Sequence, residues 1–264
     1  MYETGSDQLI ADCGLRIADS KKRQFAIRNS KSEIPSAGRR VQRFIITIDG
    51  PAGVGKSTVA KLLAKRLRLR YLDTGATYRA LAYRALLEGV DPKDEERLMP
   101  LARALRVELR RSATDRMTVL LHGREVTRQI RTERVTEAAA AVAQHPRVRG
   151  AMVRLQRQLA DAQACVVEGR DTGSVVFPKA RCKFFLTATV RVRAHRRQRE
   201  LRSVQGRAPS LRVIARQLTA RDGLDRRRTI GPLVKPPSAM TVDTSHLRAE
   251  AVVRRMLKHV RLSR

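Results

Sequence analysis

The residues best suited to chemistry lie in Gly50-Pro51-Ala52-Gly53-Val54-Gly55-Lys56-Ser57, which fits the G-x-x-x-x-G-K-[ST] phosphate loop. Glycines let the backbone curl until its N–H groups converge on an anion, and the start of a helix adds partial positive charge. In such a loop Lys56 reaches the β- and γ-phosphates and the Ser57 hydroxyl ligates Mg2+. Two further stretches carry matching chemistry. Asp73-Thr74-Gly75-Ala76-Thr77-Tyr78-Arg79 sets an acidic turn ahead of an arginine. Val166-Val167-Glu168-Gly169-Arg170-Asp171-Thr172-Gly173 again puts Arg and Asp beside glycines. Guanidinium forks suit bidentate contacts with phosphate oxygens.

Such groups work only if the chain brings them together. Ahead of the loop stands the β-branched run Phe44-Ile45-Ile46-Thr47-Ile48, and behind it Val59, Leu62, Leu63 and Leu67 recur with helical spacing. Strand, loop and helix is the order a phosphate cradle requires. Strands and helices then alternate. Arg70-Tyr71-Leu72 reads as a strand, followed by a helix carrying Tyr78, Leu81, Leu86 and Leu87. The segments 106–109 and 117–121 read as an antiparallel pair, and helices are expected around 132–142 and 147–161. The apolar runs 164–167 and 183–186 suit strands buried on both faces of a parallel sheet. Arginine-rich helices near 190–202 and 210–222, a strand at 240–242 and a helix to about 260 complete the pattern. This alternation predicts a doubly wound α/β sheet, in which ligands sit beyond the carboxyl ends of the strands. Both acidic-basic stretches should therefore face the phosphate loop across one cleft.

Composition narrows the function classes. Of the 264 residues 42% are hydrophobic, enough for a large core, and no apolar run approaches the ~18 residues of a membrane helix. The first residues lack the apolar core of a secretion signal, and Cys13, Cys165 and Cys182 have no metal-ligand spacing. A cytoplasmic protein with reduced thiols is expected. The five histidines are scattered and form no ligand cluster. The formal charge of +31, from 56 Lys and Arg against 25 Asp and Glu, suits either nucleic acid or a pocket that gathers polyphosphate charge. With only 3% aromatic residues and no Trp, a stacking single-strand reader is disfavoured, leaving weak, non-specific nucleic-acid association at most. The Asn-Lys-x-Asp signature of base-reading GTPases is missing, since Asn29 is the only asparagine. Residues 1–42 show no sustained period and are expected to be a disordered extension, which translation from an upstream start codon would explain.

From about residue 44 to 260 the chain resembles the bacterial cytidylate kinases, members of the nucleoside-monophosphate kinases. The motifs that carry the resemblance span 48–58, 71–79, 130–132, 146–149, 167–178, 193–197 and 221–228, with Pro232-Leu233 nearby. It implies a P-loop kinase core over 43–264, with a monophosphate-binding insert at about 76–162 and a short lid at about 193–222. It also implies transfer of the γ-phosphoryl group of ATP to CMP or dCMP, with Mg2+, by a monomer. Gly50, Pro51, Ala52, Gly53, Val54, Gly55, Lys56, Ser57, Thr58, Arg193 and Arg196 would then meet ATP. Asp73, Thr74, Tyr78, Arg79, Arg149, Arg170, Asp171, Arg221, Asp225 and Arg228 would meet CMP, with Lys56, Arg170 and Arg228 as the catalytic cations. Ala140 departs from the family, many of whose members carry a nucleotide-contacting serine there, and Leu224 falls where an arginine is sometimes found. Rival readings are a kinase of another small acceptor, such as UMP or a non-nucleotide alcohol, and a basic nucleic-acid-binding P-loop protein.

Overall fold

The apolar run ahead of the phosphate loop forms strand β1 (Ile45–Asp49), buried at every position. The structure, a computed structural model, describes residues 44–111, 117–161 and 164–262; the extension expected at 1–42 lies outside the described residues. Helix α1 (Lys56–Leu67) leaves the loop and turns into β2 (Arg70–Asp73) through Arg68, held at φ 54°. Side-chain caps then start most of the helices. Asp73 caps α2 (Thr74–Leu87), and Asp94 caps α3 (Glu95–Arg103). Strands β3 (Val107–Arg111), β4 (Met117–Leu121) and β5 (Arg124–Glu125) follow. Thr132 caps α4 (Glu133–Val142), and Pro146 opens α5 (Pro146–Ala160). After β6 (Cys165–Glu168) and β7 (Cys182–Thr187), Thr189 caps α6 (Val190–Gln205) and Ser210 caps α7 (Leu211–Arg226). Strand β8 (Met240–Asp243) and helix α8 (Ala249–Leu262) end the described chain.

The central sheet is parallel throughout, in the order β2-β6-β1-β7-β8. Its two faces are read off alternate residues. Ile46, Ile48, Val166, Phe184 and Leu186 pack with Val59 and Leu63 of α1 and Met256 of α8. Ile45, Leu72, Cys165 and Val167 pack on the opposite side with Ala160 of α5. Burial of each large side chain contributes roughly 1.5–3 kcal/mol, so filling both faces stabilises the sheet that the helical crossovers make parallel. Because β6 and β7 flank β1 on either side, the chain reverses its winding direction at β1. The loops after β1, β2 and β6 therefore share one edge of the sheet, at the switch point where α/β ligands bind.

A separate core joins Leu81 of α2, Leu98 of α3, Val119 of β4, Val142 of α4 and Met152 of α5. The antiparallel pair expected at 106–109 and 117–121 is present, with Val107 opposite Leu121. Strand β5, only two residues long, was not foreseen, nor was the wide π-type turn over Thr172–Val176.

Candidate active site

The phosphate loop is shaped by what its glycines must avoid. Gly50 sits at φ 144°, where a Cβ would lie 2.2 Å from the carbonyl oxygen of Leu186 on β7. Gly55, at φ 93° in the left-handed region, forms the N-cap of α1. The loop backbone is gripped from behind. Arg193 of α6 donates to the Ala52 carbonyl (3.1 Å) and to Asp222 of α7 (2.5 Å), and Asp222 accepts from the Ala52 N–H (3.4 Å). Arg196 donates to the Val54 carbonyl (3.2 Å), which also accepts from Thr244 (2.9 Å). Lys56 is buried and folds back over the loop, its ammonium donating to the carbonyls of Gly50 (2.8 Å) and Pro51 (2.6 Å). Burial, reinforced by Arg170, pushes its pKa down to about 7. Ser57 and Thr58 are exposed at the start of α1.

Opposite the loop, the ends of β2 and β6 present carboxylates. Asp73 accepts from the Ala76 N–H (3.0 Å) and from Arg79 (2.7 Å). Burial alone would raise the Asp73 pKa, but Arg79, Arg131 and these hydrogen bonds outweigh it and hold the group below the usual carboxylate value. Glu168, next to Asp73 in the register, accepts from the Ser57 hydroxyl (3.0 Å) and from the Tyr71 hydroxyl. Burial first, and Asp73 second, push its pKa up. The Thr74 hydroxyl donates to the Glu168 carbonyl (2.7 Å). Asp49, fully buried at the end of β1, accepts from the N–H groups of Thr172 (2.8 Å) and Gly173 (2.7 Å) and from the Thr172 hydroxyl (2.7 Å). Those three bonds fix the turn that carries Arg170 and Asp171.

Three of the remaining arginines are held against carboxylates. Arg149 and Asp171 form a buried ion pair, and the Arg149 guanidinium also donates to the Ala143 carbonyl (3.1 Å) and stacks 5.4 Å from the Tyr78 ring. Gly231 closes over that pair, since a Cβ there would come 2.1 Å from the Asp171 carboxylate. Asp225 of α7 accepts from Arg170 (2.9 Å) and pairs with Arg228. Arg170 depresses both Lys56 and Arg221, and Arg221 also feels Arg79. Lys56, Arg79, Arg170 and Arg221 thus lie in one electrostatic neighbourhood. Burial, then Arg170, lowers Arg221 to about 10. Within this cluster the Nε–H groups of Arg79, Arg149, Arg221 and Arg228 are buried with no protein acceptor. Buried donors without partners are costly, and this many cations in one place call for an anion.

Sequence reasoning named most of these side chains and assigned no role to four of them. Asp49 and Glu168 stand inside motifs already singled out, and their strand-end positions were the available signal. Asp222 lies three residues before Asp225, on the same face of α7, which the helical spacing could have shown. Nothing local marked Thr244.

A parallel sheet with a phosphate loop at the end of its central strand, faced by arginines from the neighbouring strand ends, defines a P-loop kinase fold. Residues 46–262 match the cytidylate kinase family, and the chain belongs to that family. The cytidylate kinase of Geobacillus kaustophilus is 47% identical over 219 residues, covering 83% of this chain and 97% of the relative. That of Pelotomaculum thermopropionicum is 43% identical over 219 residues, with 83% and 96% coverage. That of Halalkalibacterium halodurans is 42% identical over 222 residues, with 84% and 99% coverage.

Proposed function

We infer that this protein transfers the γ-phosphoryl group of ATP to the 5′-phosphate of CMP, giving ADP and CDP, and so serves pyrimidine nucleotide metabolism. The observation that carries this reading is the cluster of buried guanidinium groups, with unpartnered N–H donors, beside the phosphate loop. An acceptor phosphate is already ionised, with a second pKa of about 6, so no strong general base is needed. The task is to hold two like-charged phosphates in line and to neutralise the migrating group. In this reading the loop backbone, from Gly50 to Thr58, cradles the ATP phosphates, and Lys56 leaves its carbonyl partners to clamp the transferring phosphate. Arg79, Arg170 and Arg228 grip the CMP phosphate, while Arg221 and Asp225 approach the sugar. Arg193 and Arg196 serve the ATP side as part of a lid over about 193–222, and the monophosphate-binding insert spans about 76–162.

Base choice follows from donors and acceptors. Asp171, oriented by Arg149, accepts from the exocyclic amine of cytosine, whereas uracil would set a carbonyl oxygen against the carboxylate. A mismatch of that kind costs on the order of 1–3 kcal/mol. The methyl side chain of Ala140 offers no hydroxyl to the nucleotide, so dCMP is proposed as a second acceptor.

The residues present fit Mg2+. The exposed Ser57 hydroxyl lies 3.0 Å from a Glu168 carboxylate oxygen, a small set of hard oxygen ligands. Among the described residues no group of three or more His, Cys, Asp or Glu side chains could hold a metal. A cation at Ser57 would thus draw its other ligands from phosphate and water, as Mg2+ does. Bound there, it would offset charge on the phosphates being moved. Among the described residues no helix is long and apolar enough to cross a membrane. We place the protein in the cytoplasm as a monomer, with nucleic acid at most a weak, non-specific partner.

A coupled assay of ADP release across CMP, dCMP, UMP, AMP and shikimate tests the reading. ADP release should depend on CMP or dCMP, with kcat/KM for UMP lower by about tenfold or more. Tight RNA binding at physiological salt without CMP-dependent ADP release would overturn it.

A further inference from the structure

Tyr71 lies two residues before Asp73 on β2, and the register sets Tyr71 opposite Val166 and Asp73 opposite Glu168. Side chains two apart share a face of a strand, so Tyr71, Asp73 and Glu168 all project to the side of the sheet on which α1 lies. There the two oxygens of the Glu168 carboxylate have different partners. One accepts from the Tyr71 hydroxyl and the other from Ser57 at 3.0 Å. The main chain of Glu168 is pinned too, by the Thr74 hydroxyl on its carbonyl (2.7 Å). What Thr74 does not set is the rotation of the carboxylate about its last bond, a broad torsion with no staggered wells. The tyrosine ring is itself fixed by apolar packing beneath α1 and by the Lys61 ammonium 5.8 Å from its centroid.

We propose that Tyr71 is a positioning residue for the metal end of the site: its hydroxyl locks the Glu168 carboxylate so that the second oxygen stays turned toward Ser57. This rests on the reading that Ser57 holds Mg2+ with the ATP phosphates. The bare alternative is that Tyr71 only fills space under α1. The two differ in what the hydroxyl does, since the ring serves both. Partners that orient a metal's ligands are typically worth about 10–100-fold in metal affinity.

The test compares Tyr71→Phe, Glu168→Gln and the double variant with the unaltered chain, using Mn2+ as a probe for Mg2+. Mn2+ binding in the presence of ATP is followed by electron paramagnetic resonance, which needs no turnover. Tyr71→Phe keeps the ring, and its melting temperature should stay within about 4 °C of the parent. Its Mn2+ affinity should fall by about tenfold, while its KM for CMP stays within about twofold. The double variant should bind Mn2+ no more weakly than Glu168→Gln alone, because the hydroxyl acts only through that carboxylate. Unchanged Mn2+ affinity in Tyr71→Phe, or losses that add in the double variant, would overturn the proposal. Should Tyr71→Phe melt early, Glu168→Asp decides instead. Its shorter side chain cannot reach both hydroxyls, so it should show the same Mn2+ loss, and parental affinity would overturn the proposal. Failure of the parent chain itself to bind Mn2+ with ATP would count against Ser57 as a metal ligand, a result distinct from the other two.

Discussion

Asp225 is 2% exposed, and its two oxygens serve two guanidinium groups, Arg170 and Arg228. Burial on its own would raise its pKa, yet Arg170, Arg228 and Arg221 together hold it below the usual value. A carboxyl group depressed in this way stabilises the fold above its unfolded pKa, and that contribution is lost as pH falls through the folded value. Asp225→Asn should therefore cost about 3 kcal/mol near neutral pH, because two arginines lose their counter-charge. The gap from the parent should begin to narrow once pH drops below the unfolded carboxyl value of about 3.9, and should close only after pH has passed below the depressed folded value, where Asp225 in the parent protonates as well. Urea unfolding at several pH values measures it, and a gap that stayed constant into acid would contradict the assignment. Much of this site was legible as residue types, because Arg and Asp at strand ends have few other uses. Partnership was not. Nothing in the sequence showed that Asp222 would hold the Ala52 N–H, because the two lie 170 residues apart and only the packing of α7 on the loop joins them.

Elements fix how much freedom those side chains keep. The stretch after α7 returns over the Arg149–Asp171 pair at Gly231, at φ 64°, and the Leu233 N–H anchors it to the Asp225 carbonyl at 2.8 Å. A methyl group at Gly231 would meet the Asp171 carboxylate and, at 2.3 Å, the Arg149 guanidinium. Gly231→Ala should therefore raise KM for CMP by about tenfold or more while KM for ATP changes little, since the phosphate loop takes no part in the clash. Steady-state kinetics with each substrate varied in turn would show the split, and equal rises would argue against it. The main strands and helices could be read in advance, because an apolar run such as 183–186 and a helix such as α1 each announce their period. The π-type turn at Thr172–Val176 could not. It is held by Asp49, which lies 123 residues away from Thr172 in the chain.

On the scale of the whole molecule, the +31 charge is only partly explained by the site. The site gathers Lys56, Arg79, Arg149, Arg170, Arg221 and Arg228 from five separate stretches around carboxylates already engaged. Many other cations, such as Arg199, Arg212 and Arg216 on α6 and α7, point to solvent and raise the field that draws anionic substrates in. The proposed transfer requires two nucleotides to meet phosphate to phosphate, which would use both the loop and the facing arginines. Calorimetric titration with a single molecule that joins cytidine to adenosine through a polyphosphate bridge tests this most directly. One molecule should bind per chain and displace both ATP and CMP; displacement of only one of them would contradict the account.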